Sequence, residues 1–177
     1  MKVYSDRYYH IYNRGNNKDL IFFDEDNYIF FLDRFKKYVA PSCDVFCYCL
    51  MPNHFHFFIR VVNENVFENG IKNFFISYSK AINKRYDRVG SLFQGRYKAS
   101  EITSDNYYTR IVSYIHQNPV AVGLVGKLED YRYSSYSAYL SNKNTLLSKG
   151  EVLEWFGGVE HFIECHQILV NEKDLAI

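Results

Sequence analysis

The segment His54-Phe55-His56-Phe57-Phe58-Ile59-Arg60-Val61 constrains the fold more than any other part of the chain. Side chains on a strand point to opposite faces in turn, so His54, His56, Phe58 and Arg60 share one face and Phe55, Phe57, Ile59 and Val61 share the other. The second set is wholly apolar and has to be buried under helices. The first set carries two imidazoles one pleat apart and belongs on the more open face.

The neighbouring segments supply the rest of such a sheet. Tyr8 to Tyr12 reads as a strand that ends in the turn-forming run Asn13-Arg14-Gly15-Asn16-Asn17. Asp24 offers an N-cap to a helix reaching about Val39, with Tyr28, Phe31, Leu32, Phe35, Tyr38 and Val39 at helical spacing and Pro41 as the stop. Asp44 to Leu50 and His54 to Val62 form a hairpin through the turn Met51-Pro52-Asn53. A longer helix is predicted from about Phe67 to Tyr86, a loop between Gly90 and Gly95, and a strand near Tyr97 to Thr103. Ser104-Asp105 then caps a helix whose stripe is Tyr108, Ile111, Val112 and Ile115, with Pro119 ending it. A short helix over Ser134 to Leu140 and a mostly helical tail from Glu151 complete the chain. The order strand, helix, strand, strand, helix, strand predicts an α+β fold of the ferredoxin-like split βαβ type, an antiparallel sheet with helices on one face plus a C-terminal helical extension. Residues 1–140 are expected to form the functional domain and 141–177 an acidic extension of the same domain.

Composition narrows the class. With 177 residues and 47% hydrophobic content, one substantial core is expected. No apolar run reaches the roughly 18 residues of a membrane span, and the N-terminus lacks signal-peptide order, so a cytoplasmic protein without a membrane partner is expected. Cys43, Cys47, Cys49 and Cys165 form neither a CxxC pair nor a regular framework, and read as reduced core residues. Aromatic residues make up 19% of the chain, a surplus that leaves some rings for the surface, where they could stack on bases. Charge is unevenly spread: between Lys72 and Lys98 seven basic residues face Asp87 alone, whereas from Thr145 onward two lysines face six acidic residues. The middle of the chain, with Lys80, Lys84, Arg85, Arg96 and Lys98, can meet a polyanion, and the tail cannot.

Two constellations carry chemistry. His54 and His56 can converge on one cation, or can be ordinary half-buried, hydrogen-bonded histidines. Tyr114 and Asn118 stand four residues apart on one face of the helix that starts near Ser104, offset from its apolar stripe. A phenol at that core margin can reach a site and Asn118 can offer a carbonyl oxygen, or the pair can be a core-edge tyrosine followed by an Asn-Pro helix stop. Tyr107, two turns earlier on nearly the same face, competes as a nucleophile.

Four blocks in one order resolve these alternatives. Tyr9-His10-Ile11-Tyr12-Asn13-Arg14-Gly15, Met51-Pro52-Asn53-His54-Phe55-His56, Gly90 to Lys98, and Ser113-Tyr114-Ile115-His116-Gln117-Asn118-Pro119-Val120 resemble the single-tyrosine HUH transposases, and among them the REP-associated tyrosine transposases of the IS200-like group. The resemblance covers about Tyr9 to Tyr136 and does not extend past Leu140. It implies that His54 and His56 are metal ligands, that Asn118 completes the metal site and that Tyr114 is the nucleophile. It also implies DNA contacts at Arg14 and around Arg96 and Lys98, a hairpin-bearing single-stranded DNA substrate, and a bacterial-type, nucleoid-associated setting in which a homodimer is admissible. Imidazole ligands alone suit zinc; the resemblance implies magnesium or manganese, with phosphate and water supplying further oxygens.

The expected reaction is cleavage and rejoining through a covalent 5′-phosphotyrosine. A tyrosine hydroxyl titrates near 10, which leaves an activation deficit of roughly 4 kcal/mol at neutral pH, and a divalent ion on the scissile phosphate can offset it. The rival readings are a replication-initiator nuclease of the same chemistry, a DNA-binding protein that has lost the reaction, and a metallohydrolase with a water nucleophile. Single-stranded DNA binding is expected to fall steeply as salt rises from about 50 to about 200 mM, because phosphate contacts release counterions. A flat response in a filter-binding or anisotropy titration would count against the basic surface.

Overall fold

The computed structural model describes residues 2–104 and 107–170. Four antiparallel strands, β1 (Tyr8–Arg14), β2 (Cys43–Met51), β3 (His54–Val61) and β4 (Lys98–Ile102), form one sheet in the order β2-β3-β1-β4. Helix α1 (Glu25–Tyr38) connects β1 to β2, and α2 (Glu64–Arg85) connects β3 to β4. This is the predicted split βαβ arrangement, and α1 begins where its cap requires: the Asp24 side chain accepts the Asn27 N–H at 3.1 Å. Asn63 caps α2 in the same way.

The apolar face of β3 is covered as its pattern demands. Phe31 of α1 lies 5.2 Å from Phe55, Phe35 stacks on Phe57 at 4.1 Å, and Phe74 of α2 meets Phe31 at 4.8 Å, centroid to centroid. Close approach of the two helices depends on Gly70, where an added Cβ would fall 2.0 Å from the Tyr38 carbonyl oxygen. Burying one such Phe contributes about 1.5 to 3 kcal/mol, so this layer holds the sheet flat against α1 and α2. The aromatic surplus belongs mostly to the core: among the described residues Tyr4 is the one exposed aromatic ring. Cys43, Cys47 and Cys49 are buried free thiols, and Cys165 is an exposed one.

The second face of the sheet is more covered than the β3 pattern alone predicts. Helix α3 (Tyr108–Ala121) lies on it, followed by α4 (Tyr136–Tyr139), α5 (Lys149–Phe156) and α6 (Val159–His166). Tyr8, Phe46, Phe58, Tyr108 and Trp155 form one aromatic cluster, with Tyr8 4.5 Å from Tyr108 and Phe46 4.7 Å from Trp155. A β-bulge between Val45 and Cys47 buries Phe46 next to both of its strand neighbours. Arg60, at the far end of the same β3 face, is paired with Asp44 at 2.8 Å and with Glu151 of α5 at 3.1 Å, and donates to the Tyr8 hydroxyl at 3.0 Å. Along the alternating set on β3, Phe58 is therefore core and Arg60 an anchor for the acidic extension.

The C-terminal end of α3 differs from the sequence expectation. Pro119 does not stop the helix, because a proline in the last turn removes a single helical N–H, and the end is set instead by Gly123 at φ 73°. Gly123 N–H bonds the Val120 carbonyl and Leu124 N–H bonds the Pro119 carbonyl, a Schellman closure. At the start, Tyr107 is the cap residue with no side-chain cap, and its N–H bonds the Ser104 carbonyl at 2.9 Å. Asp105 lies outside the described residues.

A second, unforeseen set of polar bonds fixes α3 from behind. His166 Nδ1 donates to the Phe162 carbonyl at 2.7 Å, its Nε2 lies 2.8 Å from His116 Nδ1, and His116 Nε2 lies 2.8 Å from the Ser135 hydroxyl oxygen, whose O–H also reaches the Tyr48 carbonyl at 3.2 Å. Gln117 binds the backbone of the following segment at His166, Ile168 and Val170. Burial disfavours a charge on either imidazole, and it lowers the His116 pKa well below its usual value and His166 to about 4. The native state thus excludes a proton that the unfolded chain accepts below about 6.5. Stability is complete above that pH and falls as pH drops toward about 4. His166 alone is expected to remove on the order of 2 kcal/mol between pH 7 and pH 5. Urea unfolding of wild type and His166→Gln at both pH values measures this, and an equal pH dependence in the two would contradict it.

Candidate functional site

Where β1 ends and β3 begins, the sheet opens into a cleft of about 650 Å³ whose walls include His54, His56, Tyr114, Asn118, Arg14 and Lys98. Strand register builds it. Arg14 pairs with His54, Tyr12 with His56 and Tyr12 with Lys98 across the three adjacent strands, and directly paired residues share a face. The backbone at this end is knitted together: Gly15 N–H bonds Asn53 O at 2.8 Å, Asn16 N–H bonds Leu92 O at 2.9 Å and Gln94 N–H bonds Arg14 O at 2.9 Å. A Cβ on Gly15 would fall 2.0 Å from the Asp19 carbonyl oxygen, so the tight turn after Arg14 requires glycine.

The two histidines are held in defined orientations. Asn53 Nδ2 donates to the Lys18 carbonyl at 3.1 Å, which turns its Oδ1 toward His54 Nδ1 at 2.7 Å. An amide oxygen only accepts, so His54 carries its proton on Nδ1 and keeps a lone pair on Nε2. His56 Nδ1 lies 2.8 Å from Nε2 of His10, a buried residue stacked on it at 5.0 Å. The His54 and His56 rings stand perpendicular, 5.1 Å apart. Burial lowers the pKa of all three imidazoles, His10 to about 3 and His56 well below its usual value, the latter helped by His10 and His54. For His54, burial is opposed by a hydrogen bond with Asn118 and reinforced by the charge of Arg14. Neutral imidazoles are the form that ligates a metal.

Helix α3 brings the other two residues. Tyr114 presents its ring edge-on to His56 at 5.9 Å and to His10 at 6.3 Å. One turn on, Asn118 Nδ2 donates to the Tyr114 carbonyl at 2.8 Å, which directs its Oδ1 away from that backbone. Tyr107, at the start of the helix, packs under Arg110 at 5.7 Å and is not part of the cleft wall.

The expected DNA-contacting residues divide into three groups. Arg14 and Lys98 are in the cleft, Arg14 hydrogen-bonded through Nε to Gln94 and Lys98 placed 5.8 Å above the Tyr12 ring. Arg96 lies in a separate groove of about 600 Å³ between α2 and the Gly90 to Tyr97 loop, together with Lys72, Phe75 and Tyr97. Lys80 and Lys84 are exposed on α2 outside both clefts, and Arg85 is paired with Asp24 at 2.7 Å and Asp26 at 3.3 Å. Arg85 instead ties the end of α2 to the start of α1. Sequence reasoning also missed His10, Asn53 and Gln94. The alternation of β1 already places His10 on one face with Tyr12 and Arg14, but only the register with β3 shows that this is the histidine face.

Among the described residues no group of three or more His, Cys, Asp or Glu converges to hold a metal ion. The donor set available is two neutral imidazoles and the amide of Asn118. It fits a divalent cation that takes its remaining ligands from water and a substrate phosphate, and it lacks the carboxylates of a self-sufficient magnesium cage. Arg14, Lys18 and Lys98 leave the cleft positively charged, which suits a phosphodiester.

No helix among the described residues is long and apolar enough to cross a membrane. None of the curated proteins compared matches this chain. A solved structure, that of the "REP associates tyrosine transposase bound to a REP hairpin", is similar in fold, with a TM-score of 0.64 at 14% identity over 80% of this chain and 87% of that one. The family model described as "Transposase IS200 like" matches residues 3–118, a span that runs from before β1 to Asn118 and takes in the whole sheet and the cleft. The chain belongs to the IS200-like transposase family.

Proposed function

We propose that the protein cleaves and rejoins single-stranded, hairpin-bearing DNA through a covalent link between Tyr114 and the 5′ phosphate, with His54, His56 and Asn118 holding a magnesium or manganese ion. The observation that carries this reading is the meeting of Tyr114 and His56, edge to face at 5.9 Å, in a basic cleft that also contains His54 and Asn118. Hairpin DNA as the substrate is supported by the fold-level likeness to a transposase bound to a REP hairpin.

The protein's own groups have separable tasks. Arg14 and Lys98 draw the phosphodiester into the cleft and align it. The Tyr114 oxygen attacks phosphorus, forming the tyrosyl O–P bond as the bond to the 3′ oxygen breaks; the phenol loses its proton and the leaving oxygen gains one, giving a free 3′-hydroxyl. Reversal of the same exchange with a second 3′-hydroxyl reseals the strand, so rejoining needs no nucleotide cofactor. A bound divalent ion supplies Lewis-acid stabilisation of charge on the phosphate oxygens. Its neutral ligands give it little grip without that phosphate.

Two outcomes follow. Incubation with hairpin-bearing single strands and Mn2+ is expected to give a protein-DNA adduct that survives denaturing gels, maps to Tyr114 by mass spectrometry and is lost in Tyr114→Phe. An undiminished adduct in that variant, or one mapped to Tyr107, would reject the nucleophile, and a cleaved strand with no adduct would favour a water nucleophile. Calorimetric Mn2+ titration is expected to show weak binding that tightens at least about tenfold with single-stranded DNA present, a coupling of about 1.4 kcal/mol. Equal affinity with and without DNA would show that phosphate is not a ligand.

A further inference from the structure

Behind the cleft wall formed by His56 lies a third imidazole, which does not itself line the cleft. His10 comes from β1, is buried, stacks on His56 at 5.0 Å and places Nε2 2.8 Å from His56 Nδ1. A single proton lies between those nitrogens, and it can belong to either. If His10 holds it, His56 keeps its other proton on Nε2, pointed at the cleft, and cannot ligate a cation through that atom. If His56 holds it on Nδ1, the lone pair is on Nε2 and the ring is a ligand. His10 Nδ1 has no hydrogen-bond partner among the described residues, so no outer contact of His10 selects one arrangement over the other. His54 differs: Asn53 Oδ1 can only accept, and its tautomer is set by the fold alone.

We infer that His10 is a positioning residue for the metal site, the acceptor that takes the Nδ1 proton of His56 and so turns its Nε2 into a ligand. Metal-bound histidines almost always donate their second ring N–H to an outer acceptor, typically a carboxylate or carbonyl; here the acceptor is an imidazole, whose own proton must then move to Nδ1. The pair thus shifts together: with the site loaded, the shared proton passes from His10 Nε2 to His56 Nδ1, the proton of His56 Nε2 is released to solvent, and His10 regains one from solvent at Nδ1, so both rings stay neutral. The inference rests on the reading of His56 as a ligand, and an acceptor at position 10 is what it adds.

The test compares His10→Gln, which keeps an acceptor oxygen, with His10→Phe, which keeps a stacking ring and removes the acceptor. Thermal unfolding first checks that both variants are folded. Mn2+ affinity in the presence of single-stranded DNA is expected to fall about 10- to 100-fold in His10→Phe and to stay within a few-fold of wild type in His10→Gln. In 15N-labelled wild type, Mg2+ is expected to move the His56 nitrogens to a protonated Nδ1 and a bare Nε2, a signature that packing alone would not produce. Full Mn2+ affinity in folded His10→Phe, or equal loss in both variants, would overturn the role of His10 and leave His56 as a ligand. If wild type bound no divalent ion, or bound it equally well in His54→Ala and His56→Ala, the metal reading itself would fail and this inference with it.

Discussion

The antiparallel pairing of β1 with β3 is the constraint on which the rest depends. A strand pair has a period of two, so a slip of one residue would exchange the faces of every side chain. In the observed register, Arg14 is opposite His54, Tyr12 opposite His56 and His10 opposite Phe58, which assembles a basic side chain, two imidazoles and the acceptor histidine on one surface. The apolar set Phe55, Phe57, Ile59 and Val61 fixes that register, because a slip would take four buried side chains out of their packing against α1 and α2, where the burial of each contributes about 1.5 to 3 kcal/mol. The chemistry of the cleft is thus protected by the packing on the opposite side of the same strand.

The second requirement is the placement of α3. The aromatic cluster around Tyr108 and Trp155 presses the N-terminal part of the helix onto the sheet, and the His166–His116–Ser135 bonds hold its middle. Residues contributed after the end of the matched family span, Ser135, Trp155 and His166, therefore fix the helix that bears Tyr114 and Asn118. The acidic segment spends one of its charges, Glu151, on Arg60, which places that negative group at the far end of β3 from the cleft. This separation matters, since a carboxylate near Arg14 would work against a phosphodiester.

Much of the fold was legible in the sequence because its signals are local and periodic. The N-cap at Asp24, the alternation in β3 and the Pro52-Asn53 turn each announce one element, and the order of elements suffices for the split βαβ arrangement. That His54, His56, Tyr114 and Asn118 belong together was legible too, and they do line one cleft, although their significance came from the four sequence blocks taken together more than from any one spacing. What stayed hidden is non-local. His10 is one histidine among several until register aligns its strand with β3, and Arg85 looks like one more basic residue of α2 until Asp24 and Asp26 are seen to neutralise it. Pro119 misled because a helix stop is a property of the following Gly123 closure as much as of the proline.

The central claim is a geometric one: two imidazoles from one strand and the side chains of one helix close around a common cation bound to the scissile phosphate. A crystal structure with Mn2+ and a single-stranded hairpin substrate, using the Tyr114→Phe variant to prevent turnover, measures it directly through the anomalous signal of manganese. The account predicts one peak bonded to Nε2 of His54 and Nε2 of His56, with the Asn118 Oδ1 and a phosphate oxygen completing it and the ring at position 114 facing the phosphorus. A manganese peak held elsewhere, or a phosphate that approaches the cleft with that ring turned away from it, would contradict the account.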